Sequence, residues 1–409
     1  MENNLKKNFI FNTLGATIYS FTSLFYMIIA TRIVGTKDAG LFTFAFSTAN
    51  LLQVIGVYAG RTYQVTENNE NITDSDYFYN RIISCSFILI IGLLFCFLEG
   101  YAVFKIGIIL LLIVYKMLDA FAEHYYAILQ KNDDLYKVGI SLIIKGVLGV
   151  VLFLLINILT KNIFLACTFL VLLNLIVTFT YDYLNSRKEK QVMTKLNLKN
   201  VCRIYLAGFW IFIQTFLMQY ILNASRYSID NYFSDDYQTI FGIILMPASL
   251  MMLVSQFIIQ PYLIRIKDYI AKKEFNSLNK LILKICIFIL IIGALSLVAA
   301  YFLGIPVLEL VYNLKLKEYK SELLVIITAS IIYSISFILN NVLIALRKTL
   351  APAICYLTVA IIEFFLVNHL VLNYALFGAS IAYFISMLLI LLIYIIIYFI
   401  EVRKEIQNG

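Results

Sequence analysis

Stretches of about twenty consecutive apolar residues follow one another from end to end of this 409-residue chain, and no other feature constrains it as much. A helix rises 1.5 Å per residue, so each stretch is long enough to cross roughly 30 Å of hydrocarbon. Twelve are readable: about 8–30, 40–60, 82–98, 101–129, 138–159, 162–184, 204–225, 239–263, 281–303, 322–345, 350–371 and 374–400. In lipid every backbone N–H and C=O needs a partner within the chain, which only helices and closed barrels provide. Runs this long and continuous exclude barrel strands. The chain is expected to be all-α, a polytopic membrane protein of about 12 transmembrane helices in two six-helix lobes around a central cavity.

Composition agrees. The chain is 62% hydrophobic and 14% charged, with two histidines and four prolines, a profile foreign to soluble domains of this size. The net charge of +8 does not point to nucleic acid, because of how it is distributed. With both termini inside, most Lys and Arg fall on inside loops, above all between Arg187 and Arg203 and between Arg265 and Lys284. That is the positive-inside rule, with attraction to anionic lipid as a by-product. Six cysteines lie within or beside the apolar runs with no C-x-x-C pair, which reads as buried thiols. Lys6 and Lys7 precede the first run without a small-residue cleavage site, so it is expected to be a retained helix.

No loop is long enough to form a domain. The basic segment 185–203 divides the chain into lobes 1–184 and 204–409, and is expected to be a cytoplasmic linker. Six helices per half give both halves the same orientation, so a repeat would be parallel, about an axis along the membrane normal. Its sequence trace is the pair Ala30-Thr31-Arg32 and Ala224-Ser225-Arg226, each closing an apolar run. No phosphate-binding Gly-x-x-x-x-Gly-Lys occurs, and no His, Cys, Asp or Glu cluster has metal-ligand spacing. Neither enzymatic chemistry nor a resident cofactor is expected.

Ionisable residues within spans cost about 2.5–3.5 kcal/mol each at the helix centre and usually face an interior or a wet cavity. Lys116, Asp119 and Glu123 stand at i, i+3 and i+7 on one helical stripe, with His124 beside it. They read either as an ion-pair ladder that fixes packing or as a cavity wall whose carboxylates take up H+ or Na+. Gln219, Asn223, Arg226 and Asp230 form a second stripe. There Arg226 either pairs with Asp230 or offers its fork of donors to phosphate oxygens. Arg32, Arg61, Lys116 and Lys145 are the other candidate cations, although Arg61 and Lys145 are also placed to snorkel. Glu363, well inside the eleventh run, joins Asp119, Glu123 and His124 as an ion-coupling candidate.

The stretch Ile29-Ala30-Thr31-Arg32-Ile33-Val34-Gly35, followed by Ala39-Gly40-Leu41-Phe42, resembles the opening signature of polysaccharide transporters in the MOP flippase superfamily. The segment from Asn223 to Phe233 resembles the family's seventh helix. Arg61-Thr62-Tyr63-Gln64-Val65-Thr66 with Tyr79-Asn80-Arg81 is similar to Wzx-type proteins of Gram-positive capsule and cell-wall pathways. The resemblance implies a flippase of the bacterial plasma membrane, both termini cytoplasmic. It implies a cargo of undecaprenyl-diphosphate-linked oligosaccharide moved outward by alternating access through a cation-lined cavity. Arg32 and Arg226 inherit phosphate contact by their places in the motifs. Membrane lipid, a polysaccharide polymerase and glycosyltransferases are the implied neighbours. The lipid II branch of the family has two further helices that this chain lacks, so a capsule or wall repeat unit is expected instead. Three rivals are a multidrug or cation antiporter of the same superfamily, a polymerase or ligase, and a structural scaffold. The antiporter would favour an acidic or apolar cavity, the enzyme needs a large external loop, and the scaffold leaves the intramembrane charges unexplained.

Overall fold

The computed structural model describes residues 2–58, 60–67, 71–187, 195–346, 348 and 350–407, without the side chains of 2–5 and 405–407. The middle of the expected basic linker, 188–194, thus lies outside the described residues. Those described form helices joined by turns, with no strand among them.

Twelve helices match the twelve apolar runs. They are α1 (Lys6–Val34), α2 (Thr36–Val57), α3 (Asp74–Leu98), α4 (Val103–Lys131), α5 (Leu135–Thr160), α6 (Ile163–Arg187), α7 (Leu198–Tyr232), α8 (Asp235–Ala271), α9 (Phe275–Tyr312) and α10 (Lys317–Ala345). The pair α11 and α12 shares the stretch Leu350–Lys404 and is separated by a kink at Ala375, where φ is +49°. All but α4 lie in stretches long and apolar enough to cross a membrane. Helix α4 carries Lys105, Lys116, Asp119 and Glu123, so its apolar window is interrupted, yet it is one unbroken and largely buried helix. The chain is a multi-pass membrane protein.

Local chemistry sets the helix ends. Thr73 and Asp76 form a reciprocal capping box that starts α3. The Asn162 side chain accepts the Leu165 amide at 3.2 Å to start α6. Helix α1 ends in a π-helical turn, Ala30–Val34, closed by Gly35 at φ +113°. An L side chain is strained in that conformation, which explains the glycine in the motif.

The chain packs as two compact units, Met1–Phe216 and Leu217–Gly409, with the division inside α7. In the first, α4 is the hub: α2, α3, α5 and α6 pack on it, while α1 runs along α5. In the second, α10 holds the same station, packed by α8, α9 and the α11–α12 pair. Partners of the fourth helix recur at the tenth, six helices later, as a parallel repeat requires. Close approach of α1 and α5 rests on Gly15 and Gly139. A Cβ at Gly139 would overlap the Phe11 carbonyl, so only a residue without a side chain fits.

Lipid faces are legible as exposed apolar ridges. Phe87, Ile90, Leu94 and Phe97 form one on α3, and Leu283, Ile287, Ile291 and Leu295 another on α9. All six cysteines are free; Cys202 is exposed, unlike the buried thiols expected, and Cys286 is half-buried.

Candidate functional site

In the first unit the polar residues of four helices join in one buried network. Lys116 lies 3.5 Å from Asp119 Oδ2, and its ammonium also sits 4.7 Å above the Phe46 ring. Tyr19 of α1 donates to Asp119 Oδ2 at 2.5 Å, and Asn174 of α6 donates to Asp119 Oδ1 at 2.8 Å. Thr178 in turn donates to Asn174 Oδ1 at 3.2 Å and receives the Lys145 ammonium at 3.0 Å. Lys145 reaches Asp182 Oδ2 at 3.1 Å and Tyr126 Oη at 3.2 Å, and Tyr126 shares a further hydrogen bond with Ser141. Thr178 and Asp182 are brought to this face by a π-helical turn, Thr178–Asp182, which rotates the end of α6.

The network engages two of the predicted cations. An ammonium has three donors. Those of Lys145 meet Asp182, Thr178 and Tyr126, leaving none for a phosphate, and the residue is 2% exposed. Lys145 therefore does not snorkel either. Lys116 is bound to Asp119 on its own helix, one of the two readings open from the sequence. Asp182 was invisible as a partner because it lies 37 residues downstream, on another helix.

Glu123 leaves the stripe. It is half-buried and lines a separate cavity of about 570 Å³ with Gln53, Gly60, Arg61, Thr62, Thr66 and Gln130. Arg61 donates Nε to Gln130 Oε1 at 2.6 Å. It stands on the short helix Gly60–Val65, which follows the break in α2 at Tyr58, where φ is +42°. The break is braced by Arg81 of α3, whose Nη1 donates to the carbonyls of Gly56 and Val57. A guanidinium on the last carbonyls of a helix satisfies acceptors left open there and opposes the helix dipole. Arg81 is 2% exposed, and sequence reasoning used it only as part of a motif. His124 points away from this cavity into aromatic packing, 5.5 Å from the rings of Phe78 and Tyr125.

In the second unit, Arg226 is buried on α7, and its Nη1 has no hydrogen-bond partner among the described residues. Its backbone carbonyl accepts Gln238 Nε2 at 2.6 Å, and neighbouring Ser225 donates to the Ala379 carbonyl at 3.0 Å, tying α7 to α8 and α12. Glu363 on α11 is fully buried, and neither of its carboxylate oxygens has a hydrogen-bond partner among the described residues. Tyr220 and Tyr383 stand near enough to feel its charge. Arg32, back in the first unit, is exposed on its π-helical turn. Within the first unit the structure thus joins Lys116, Asp119 and Lys145 in one network and Arg61 with Glu123 in one cavity. His124 belongs to neither.

No protein-family model matches the chain. Among curated proteins it is 24% identical over 340 residues to the capsular polysaccharide biosynthesis protein CapF of Staphylococcus aureus, covering 82% of this chain and 83% of that one. Among solved structures it superposes on the lipid II flippase MurJ in an inward closed conformation. That match has a TM-score of 0.72 at 16% identity, over 95% of this chain and 87% of the other. An inward-facing multidrug resistance MATE transporter of the MOP superfamily gives a TM-score of 0.68 at 12% identity, over 97% and 99%. The fold is that of the MOP-superfamily transporters, and the relatives that share it are a flippase and transporters rather than enzymes.

Proposed function

We propose that this chain is a flippase for lipid-linked oligosaccharides. It carries polyprenyl-diphosphate-linked repeat units from the inner to the outer leaflet of a bacterial plasma membrane, for a capsule or wall polysaccharide. The observation that carries the reading is Arg226: a buried guanidinium in a membrane helix, with one arm lacking a partner. An uncompensated donor there costs several kcal/mol, so it is retained where an anion visits. Guanidinium suits a diphosphate because its fork matches phosphate oxygens. The likeness to a lipid II flippase and to a capsular polysaccharide biosynthesis protein supports the same class of cargo.

The energetics suit that class. A lipid-linked diphosphate carries about two negative charges, and an inside-negative potential favours moving each of them outward by about 2.3 kcal/mol per 100 mV. The barrier is desolvation of the headgroup. Arg226 and Arg32 are proposed to replace water around the phosphates, while the polyprenyl tail stays in lipid. Release requires that the inward and outward states bind with different affinity. Glu363 is the coupling carboxylate in this reading, ahead of Asp119, whose oxygens are occupied by Lys116, Tyr19 and Asn174. An ionised carboxylate buried without a partner is costly, so Glu363 calls for a proton or Na+ in this conformation.

The test uses a strain whose surface polymer requires this gene. With Arg226→Ala and Arg32→Ala together, polymer yield is expected to fall at least about tenfold, as loss of charged hydrogen bonds implies, and lipid-linked precursor to accumulate. Normal yield overturns the reading. The multidrug antiporter is favoured by the MATE fold likeness, and it predicts instead a change in drug susceptibility with polymer unaltered. Glu363→Gln is expected to slow transport while diphosphate binding persists, and transport indifferent to imposed H+ and Na+ gradients removes the coupling role.

A further inference from the structure

The cavity between the end of α2 and α4 has a chemistry unlike that of a phosphate site. Its lining holds one guanidinium, Arg61, and one carboxylate, Glu123, whose formal charges cancel. The Glu123 carboxylate makes no hydrogen bond or ion pair among the described residues, so it stands open as an acceptor. Arg61 has its Nε fixed on Gln130, which holds the guanidinium plane in place. Around them stand the amides of Gln53 and Gln130 and the exposed hydroxyls of Thr62 and Thr66, with Val57, Val65 and Gly60 as an apolar border.

A doubly charged phosphate entering this space would meet an open carboxylate and gain one cation already engaged. An uncharged polyol meets what its hydroxyls need. Vicinal hydroxyls donate to a carboxylate and accept from a guanidinium or amide, while the C–H face of a sugar ring lies on the apolar border. A volume of about 570 Å³ falls within the usual range for small-molecule sites, and accommodates a short saccharide. We infer that the α2–α4 cavity is a saccharide subsite, with Glu123 as hydroxyl acceptor and Arg61 and Gln130 as donors. It rests on the flippase reading for its biological cargo and deepens it. The subsite takes the glycan of the headgroup and not its diphosphate, so Arg61 recognises sugar.

The experiment displays the full chain in lipid nanodiscs to an immobilised panel of uncharged mono- to trisaccharides. Retention of at least one saccharide is expected, undiminished by excess inorganic pyrophosphate. Glu123→Gln should weaken it at least about tenfold, the loss of a charge-assisted hydrogen bond. Thr66→Trp, an exposed position on the rim, should block it without disturbing buried packing; an unchanged thermal midpoint verifies the fold of both variants. The inference is overturned if no saccharide is retained, if both variants bind as the wild type does, or if pyrophosphate displaces the sugar. Its failure is read in binding by purified protein, whereas failure of the flippase reading is read in polymer yield, so the two are told apart.

Discussion

Lys145 and Asp182 show what a charge inside a membrane helix requires of its neighbours. Their pair is almost wholly sealed, and Thr178 and Tyr126 complete the ammonium's shell. Removing one partner leaves the other as an uncompensated buried charge, typically a loss of 3–5 kcal/mol. Lys145→Met is therefore expected to lower the thermal midpoint of the detergent-solubilised protein sharply, and Lys145→Met with Asp182→Asn to recover most of the loss. A double variant as unstable as the single one would contradict the pairing. From the sequence, Lys145 was readable as an anomaly because intramembrane cations are rare, but its partner was not, since nothing local links α5 to the end of α6. The stripe of Lys116, Asp119 and Glu123 failed for a related reason. Helical geometry gives the direction of each side chain relative to its own axis, while Tyr19, Asn174 and Arg61 on other elements decide which members share a site.

At the scale of elements, hydropathy located every span because the cost of exposing backbone in lipid is set by the local sequence. Even α4 was found, with charges that break its apolar window, since buried polar residues and long apolar flanks coexist in a hub helix. What escaped notice were the π-helical turns at Ala30–Val34 and Thr178–Asp182 and the break at Tyr58, which re-aim Arg32, Asp182 and Arg61. One extra residue in a turn has no distinct hydropathy. Helix contact through glycine is the converse case, a local residue choice with a long-range reason. Because any Cβ at position 139 would overlap the Phe11 carbonyl, Gly139→Leu should drive α1 and α5 apart. Overpacking of this kind costs about 1–3 kcal/mol or more. It is checked as a lowered midpoint and increased proteolysis in the first unit; wild-type stability would show that the helices separate freely.

For the molecule as a whole, the recurrence of helix partners six helices on gives the repeat a physical basis that the Ala-Thr-Arg and Ala-Ser-Arg pair alone did not provide. The hub positions α4 and α10 are equivalent, yet their charge is not. The first unit buries the ion pairs of Lys116 with Asp119 and of Lys145 with Asp182, and the second buries Arg226 Nη1 and the Glu363 carboxylate without hydrogen-bond partners among the described residues. In the proposed cycle Arg226 and Glu363 of the second unit meet the diphosphate and the coupling ion, while Arg32 and the α2–α4 cavity of the first meet phosphate and glycan. Retention of undecaprenyl diphosphate by the purified chain, followed by native mass spectrometry, probes that proposal at its centre. The account predicts a bound lipid on the wild type and at least about tenfold weaker binding for Arg226→Gln at unchanged thermal stability. Equal binding by the two proteins would contradict it.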